Sequence, residues 1–138
     1  MSTKVLRAFS PAGISSFFEI CDRTVDGKPI NDPLLVGARG GGFGIQKGVT
    51  TEASISEAKT SSIRVLINGK LAPEAETTIT VAQMLLNKVN RAYDVIVNHE
   101  VEVPIGAGFG TSAGGALTAG LTLSNALDLD LSYNQNGN

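Results

Sequence analysis

The segment Pro-Ile-Gly-Ala-Gly-Phe-Gly-Thr-Ser-Ala-Gly-Gly, residues 104–115, says more about fold and function than any other part of the chain. An alternating apolar run at 93–103 precedes it and predicts a strand, and a run of small residues at 112–127 follows it and predicts a helix. Gly106, Gly108 and Gly110 therefore lie where a strand passes into a helix. Glycines leave backbone N–H groups accessible there, near the positive end of the helix dipole. This arrangement predicts a phosphate-binding site.

Length and composition indicate one globular domain. The chain has 138 residues, of which 42% are hydrophobic and 17% charged, and such values are typical of a folded core. A net charge of −2 and few aromatic residues argue against a nucleic-acid partner. No apolar stretch approaches the roughly 20 residues of a transmembrane helix, so we expect no membrane partner. The single cysteine, Cys21, cannot form an internal disulfide, which favours a cytoplasmic location.

Extended segments are predicted by alternating or β-branched runs bounded by turn residues. Pro11 and Gly13 are expected to separate the first two strands. Before the strand at 93–103, the predicted strands are 4–9, 17–21, 45–55 and 61–68, with a loop at 22–33 and a hairpin loop at 56–60.

Helical spacing is clearest at 78–90, where Ile79, Ala82 and Leu85 belong to one apolar stripe. Thr77 or Thr78 is the predicted N-cap of this helix, and Ser132 is the predicted start of a further one. Together with the strands, these helices predict an α+β fold: a small mixed or antiparallel sheet with two helices on one face.

The glycine-rich segment matches neither of two common phosphate-binding patterns. A Walker A loop requires Gly-Lys-Ser/Thr, whereas Thr111 follows Gly110 directly. A dinucleotide fingerprint that starts at Gly106 requires glycine at position 111. By themselves, the residues therefore leave a flexible strand–helix connection open as the alternative to a phosphate loop.

Residues 104–113 resemble the phosphate-binding motif of the GHMP kinases (galactokinase, homoserine, mevalonate and phosphomevalonate kinases). The usual string of that superfamily is Pro-x-Gly-x-Gly-Leu-Gly-Ser-Ser-Ala, and here Phe109 replaces the leucine and Thr111 the first serine. Segments 8–20 and 37–44 are similar to the archaeal pantoate kinases of the same superfamily, and the resemblance covers nearly the whole chain.

The resemblance implies a kinase that uses ATP and Mg²⁺ to phosphorylate pantoate, or a similar small hydroxy acid, in coenzyme A biosynthesis. The product would be 4-phosphopantoate. It also implies the fold of a GHMP-kinase N-terminal domain, which a ribosomal small-subunit protein shares. The residues that the motif assigns to the ATP phosphates are Pro104, Gly106, Ala107, Gly108, Phe109, Gly110, Thr111, Ser112 and Ala113.

Four side chains are assigned more specific roles on the basis of the resemblance. Ser112 matches the superfamily's magnesium-binding serine, with Thr111 as the neighbouring candidate. Arg39 is expected to hold the pantoate carboxylate, since a guanidinium can make two parallel bonds to it. Without the resemblance, a solvated hairpin arginine is the favoured interpretation. Ser15 and Ser16 are candidates for substrate hydroxyls, although serines at such a break more often satisfy a turn.

The sequence departs from the superfamily pattern in two places. Pro11, Ala12 and Gly13 occupy the first motif, where a basic residue usually follows Pro-Gly, so no role is carried over to that position. The acidic magnesium ligand and the third glycine-rich motif of the superfamily fall after the phosphate loop. We therefore expect residues 1–138 to form a truncated, N-terminal ATP-binding domain, with the catalytic residues beyond position 138.

His99, the only histidine, falls on the apolar face of its predicted strand. A hydrogen-bonded core role is favoured for it over catalysis, because phosphoryl transfer needs no histidine.

Three alternatives to pantoate phosphorylation stay open. The first is another GHMP kinase that acts on a different hydroxy acid or polyol. The second is a non-catalytic domain of the same fold that binds a partner. The third is a truncated remnant whose exposed apolar face drives formation of a homodimer.

Overall fold

Two helices pack on a five-stranded mixed sheet in the computed structural model, which describes residues 2–131. The elements are β1 (Lys4–Cys21), β2 (Gly37–Glu57), β3 (Ser62–Ile67), β4 (Lys70–Leu71), α1 (Glu76–Leu86), β5 (Tyr93–Val101) and α2 (Thr111–Ala126). The strand order is β1-β2-β5-β3-β4, and only the β3–β5 pair is parallel. The predicted α+β fold with a mixed sheet is confirmed.

The core lies between the helices and one face of the central strands. Inward residues of β2 and β5 alternate with more exposed ones, as a half-buried antiparallel pair requires. Both helices contribute to the same cluster, so both lie on one sheet face. The buried members of the cluster include Ala53, Val95 and Val97 from the sheet, Ala82 and Leu85 from α1, and Ala119 and Leu123 from α2. None of the helices within residues 2–131 is long and apolar enough to cross a membrane.

The prediction of two short strands before residue 22 is wrong, because β1 runs without interruption from Lys4 to Cys21. Its pairing with β2 shifts register between Pro11 and Gly13 and again between Ser15 and Phe17. A β-bulge places an extra residue in one strand of a pair, and here the pairing of β1 with β2 continues on both sides of each bulge. Proline is tolerated in β1 because an edge strand has a neighbour on only one side.

The second glycine-rich stretch belongs to a strand, so β2 begins at residue 37 rather than 45. The glycines are needed because β1 approaches the β2 backbone closely beside its bulges. A Cβ atom at Gly40, Gly42 or Gly48 would collide with carbonyl oxygens of β1.

The predicted hairpin at 56–60 is also wrong, because β5 lies between β2 and β3 and pairs with both. This strand order depends on contacts between distant segments, which local turn residues do not encode. Helix α1 begins at Glu76 and ends at Leu86, so it starts earlier and ends earlier than predicted. Helix α2 and strand β5 match their predictions to within two residues. The predicted helix start at Ser132 lies outside the described residues.

His99 is a hydrogen-bonded core residue, as predicted. Its side chain is buried, Nδ1 lies 2.6 Å from Thr51 Oγ1, and Nε2 lies 2.8 Å from Thr78 Oγ1. Thr78 is therefore not an N-cap, and helix α1 has Ala75 at that position with no side-chain capping bond. Burial lowers the pKa of His99 from its ordinary value of 6.5, because desolvation penalises the imidazolium form.

The buried histidine predicts a pH-dependent stability. Below about pH 6.5 the unfolded chain binds a proton that the folded chain does not, so the free energy of unfolding should fall as the pH is lowered, by at most about 1.4 kcal/mol per pH unit. Urea titrations between pH 7.5 and 5.5 measure this slope. His99→Gln should remove the contribution of the histidine to this slope, since the carboxylates titrate alike in both proteins. Equal slopes in the two proteins would contradict the prediction.

Candidate functional site

The connection from β5 to α2 is an open loop held in a glycine-dependent conformation. Gly106, Gly108 and Gly110 have φ values of 73°, 82° and 71°, which lie in the left-handed region that side-chain-bearing residues disfavour. A Cβ atom at any of the three would meet no protein atom within 4 Å. Backbone conformation, rather than internal crowding, therefore requires glycine here. Positive and negative φ values alternate along this loop, and such alternation can turn successive N–H groups toward one side to form an anion-binding concavity.

The loop leads into a helix start that lacks a capping side chain. Gly110 is the N-cap of α2 in the left-handed conformation, without a side-chain hydrogen bond and with no acidic residue in the first turn. The first intrahelical bond of α2 runs from Gly114 N to Gly110 O, at 3.0 Å. The N–H groups of Thr111, Ser112 and Ala113 precede that bond and point out of the helix. An anion is the natural partner for them.

One hydrogen bond and two close approaches fix this helix start against the sheet. Gly13 N of β1 donates a hydrogen bond of 3.1 Å to Phe109 O. A Cβ atom at Gly114 would lie 3.2 Å from Ser10 Oγ, and one at Gly115 would lie 3.4 Å from the His99 ring. The sequence predicts that something approaches this glycine-containing helix closely, and for these two glycines the sheet is that neighbour.

A cavity lies on each side of the loop. The first, which we call the α1-side cavity, has a volume of about 590 Å³ and lies between the β3–β4 turn and the starts of α1 and α2. Thr111 and Ser112 line it, together with His99. Its apolar lining includes Ile67, Leu71, Ala72 and Ile105, and its charged lining is Lys70, Glu74 and Glu76.

The second cavity, which we call the β1-side cavity, has a volume of about 530 Å³ and lies between the loop and the β1–β2 pair. Its lining includes Ser10, Ser15 and Phe43 from the strands and Gly108, Phe109, Gly110 and Ala113 from the loop and α2. Among the described residues, no charged side chain lines this cavity.

The structure brings only some of the predicted site residues together. Ser15 lies in the β1-side cavity, whereas Ser16 lines neither cavity. Pro104 and Ala107 are exposed parts of the loop. Arg39 lines neither cavity, and it precedes Gly42 of the β1-side cavity by three positions on β2, which corresponds to roughly 10 Å of strand.

Arg39 makes an exposed ion pair at that position. Its Nε lies 2.7 Å from Glu19 Oε2. The hydrogen bond and charge of the guanidinium hold the pKa of the Glu19 carboxyl below its ordinary value. Exposed pairs of this kind contribute little to stability.

Sequence reasoning missed the lining that comes from the β3–β4 turn and the start of α1. Asn68 and Gly69 form this turn with φ values of 50° and 78°, and the residues that follow it line the α1-side cavity. The Asn-Gly pair predicts the turn itself. The proximity of this turn to the glycine-rich loop depends on the parallel pairing of β3 with β5, which no local pattern encodes.

A metal site built from protein side chains alone is absent from residues 2–131, where no group of three or more His, Cys, Asp or Glu could hold an ion. The hydroxyls of Thr111 and Ser112, at the mouth of the α1-side cavity, are oxygen ligands of the kind that Mg²⁺ accepts beside phosphate oxygens.

Comparison with known proteins gives a consistent result. No protein-family model matches the chain. The pantoate kinase of Thermococcus kodakarensis is 38% identical over 127 residues, which cover 88% of this chain and 39% of that protein. A solved structure described as a phosphotransferase related to the CoA biosynthesis pathway is 35% identical, with a TM-score of 0.79 over 94% of this chain and 42% of its own.

More distant solved structures share the fold alone. The mevalonate kinase of Methanococcus jannaschii has a TM-score of 0.58 at 13% identity, over 99% of this chain and 45% of its own. The homoserine kinase of Cytophaga hutchinsonii has a TM-score of 0.57 at 14% identity, over 93% of this chain and 37% of its own.

The chain spans about two fifths of the length of the curated relative and of the similar phosphotransferase structure. The identity to these two proteins and the share of this chain that they cover nevertheless confirm the predicted resemblance to the GHMP kinases, and to the pantoate kinases among them. The chain belongs to the pantoate kinase family of the GHMP kinases.

Proposed function

We propose that this chain is the N-terminal, ATP-binding domain of a kinase that transfers the γ-phosphoryl group of ATP to the primary hydroxyl of pantoate. The observation that carries the proposal is the open loop at 106–110, which joins an uncapped helix start and lies between two cavities. A site for phosphoryl transfer must hold a polyphosphate and place an acceptor beside it. The relatives named for pantoate phosphorylation and for CoA biosynthesis support this substrate class.

The triphosphate is the group that best fits the loop. Backbone amides from 106 to 112 would donate to phosphate oxygens, and the dipole of α2 would stabilise their charge. The α1-side cavity, with its apolar lining of Ile67, Leu71 and Ala72, suits the base and ribose. The proposal thus puts the nucleotide along the loop with its terminal phosphate toward the β1-side cavity.

Mg²⁺ is proposed at the hydroxyl of Ser112. The ion commonly keeps one or two protein ligands and takes the others from phosphates and water. When bound, it would neutralise charge on the phosphates during transfer. Exposed Ser112 and half-buried Thr111 both line the α1-side cavity, and their hydroxyls could supply the one or two protein ligands that the ion needs.

Pantoate is proposed in the β1-side cavity, where Ser15 offers a hydroxyl. The cavity has no charged lining among the described residues, so the carboxylate of the substrate needs a cation from elsewhere. Arg39 is the sequence-based candidate, and its position along β2 lies outside the cavity. A cytoplasmic location is part of the same proposal, since ATP and free thiols are typical of that compartment.

The function is tested with the full-length gene product, ATP and Mg²⁺, with pantoate, mevalonate and homoserine assayed in parallel. ADP release and 4-phosphopantoate formation should occur with pantoate. Ser112→Ala should lower kcat/KM for ATP by at least about 10-fold through loss of a metal ligand. Thr80→Ala, an exposed position on α1, is the matched control. No turnover of any acceptor would overturn the kinase assignment, and unchanged kinetics of Ser112→Ala would remove the magnesium role.

Gly108→Val tests the loop as the phosphate site. The valine should strain a left-handed backbone by about 1–2 kcal/mol and project its side chain into the space proposed for phosphate. No protein atom lies within 4 Å of the new Cβ, so the fold should persist while ATP affinity is lost. Gly37→Val also points into open space, without a positive φ, and should bind ATP normally. Calorimetric titration with ATP measures both, and retained affinity in Gly108→Val would refute the assignment.

Arg39→Ala tests the carboxylate assignment. If Arg39 holds the pantoate carboxylate, loss of a charge-assisted hydrogen bond of about 1.5–3 kcal/mol should raise the KM for pantoate roughly 10- to 100-fold and leave the KM for ATP nearly unchanged. Glu19→Ala, which removes only the ion-pair partner, should not raise the KM for pantoate. If neither KM changes in Arg39→Ala, the arginine serves only the ion pair on the β1–β2 pair.

A further inference from the structure

Four buried polar side chains form one continuous line of hydrogen bonds under the α1-side cavity. The line runs from Thr78 Oγ1 to His99 Nε2 at 2.8 Å, and from His99 Nδ1 to Thr51 Oγ1 at 2.6 Å. It continues to Thr118 Oγ1 at 2.5 Å and ends on Gly114 O at 2.8 Å. We call these side chains the threonine–histidine chain; none is more than 5% exposed.

The direction of every bond in this chain follows from its far end. A carbonyl oxygen only accepts, so Thr118 donates its one hydroxyl proton to the backbone of α2, to Gly114 O at 2.8 Å with Gly115 O a second acceptor at 3.1 Å. Thr118 must then accept from Thr51, whose own proton is thereby used. Thr51 can only accept from His99, so Nδ1 carries the imidazole proton, and Nε2 accepts from Thr78. All donors and acceptors in the line are matched without a charge.

The chain links the two helix starts that form walls of the α1-side cavity. Thr78 lies in the first turn of α1, and Gly114 lies in the first turn of α2. Between them the line passes through β5 at His99 and through β2 at Thr51. The spacing of the two helix starts along this line is therefore set by paired strands β2 and β5.

The threonine–histidine chain supports the start of α2 on the side that faces the sheet. No capping side chain binds the N-terminus of this helix. Gly115 leaves room for the His99 ring, which a Cβ atom at position 115 would approach at 3.4 Å. Thr118 anchors the carbonyl of Gly114, which lies two residues after Ser112. A shift of this anchor would move the amides that the proposed function assigns to phosphate.

We propose that Thr51, Thr78, His99 and Thr118 are positioning residues, which hold the phosphate-binding start of α2 at a fixed distance from the α1 wall of the nucleotide cavity. This inference rests on the proposed function. It also predicts that loss of one hydroxyl in the chain affects nucleotide affinity more than the affinity for the acceptor in the β1-side cavity.

Helix α2 provides a matched control for the test. Thr122 is buried like Thr118 and makes the same kind of bond to its own helix, to Thr118 O at 2.8 Å. Within residues 2–131, the hydroxyl of Thr122 donates only to backbone carbonyls of α2, those of Thr118 and Ala119. It makes no hydrogen bond to a side chain of the threonine–histidine chain. Thr118→Val and Thr122→Val therefore remove equivalent hydroxyls from one helix, and only the first breaks the chain.

The experiment measures ATP and ADP dissociation constants by calorimetry, and KM for ATP and pantoate, on the full-length gene product. Thr118→Val should weaken nucleotide binding about 10-fold and leave the KM for pantoate unchanged. Thr118→Ser, which keeps the hydroxyl, should restore nucleotide binding. Thr122→Val should bind nucleotide like the unmodified protein. Equal affinities in Thr118→Val and Thr122→Val would overturn the proposal and leave the chain as core packing.

Two further results would show whether the proposed function or only the positioning role fails. If the unmodified protein binds neither ATP nor ADP, the proposed function fails, and the positioning role fails with it. If Thr118→Val does not fold, Thr51→Val carries the same test with Thr51→Ser as its rescue, and normal nucleotide affinity in folded Thr51→Val would overturn the proposal.

Discussion

The start of α2 offers backbone N–H groups that no side chain among the described residues caps. The site is arranged around this feature. The left-handed glycines before it keep the approach open, and a hydrogen bond from β1 holds the loop in place. An anion satisfies such groups better than water, because the helix dipole and several oriented amides act on it together. The phosphates of ATP are therefore the ligand that we propose for these groups.

The sheet explains why the site can be open and still ordered. Strands β2 and β5 share one buried core cluster with both helices, and α2 packs on the sheet closely enough that Gly114 and Gly115 have little room for side chains. Glycine inside a helix costs about 1 kcal/mol relative to alanine. That cost is offset here by close contact with the sheet, which sets the direction in which the N-terminus of α2 points.

The sequence predicts the site better than it predicts the sheet. Strand β5, the loop and α2 follow each other along the chain, so alternation, spaced glycines and small residues locate all three. The resemblance of the loop to the GHMP-kinase motif predicts its ligand. Continuity of β1 through Pro11 and Gly13, and the insertion of β5 between β2 and β3, depend on pairing between distant segments. The threonine–histidine chain is likewise non-local, since its four members come from four elements.

The central claim is that backbone amides of the loop and the start of α2 bind the phosphates of a nucleotide. Amide chemical shifts of the ¹⁵N-labelled protein, followed during titration with ATP, ADP and adenosine, test it most directly. We expect the largest shifts at Gly106, Gly108, Gly110, Thr111 and Ser112 with ATP and ADP, and much smaller ones there with adenosine. Shifts confined to other parts of the sheet, or equal for ATP and adenosine at the loop, would contradict it.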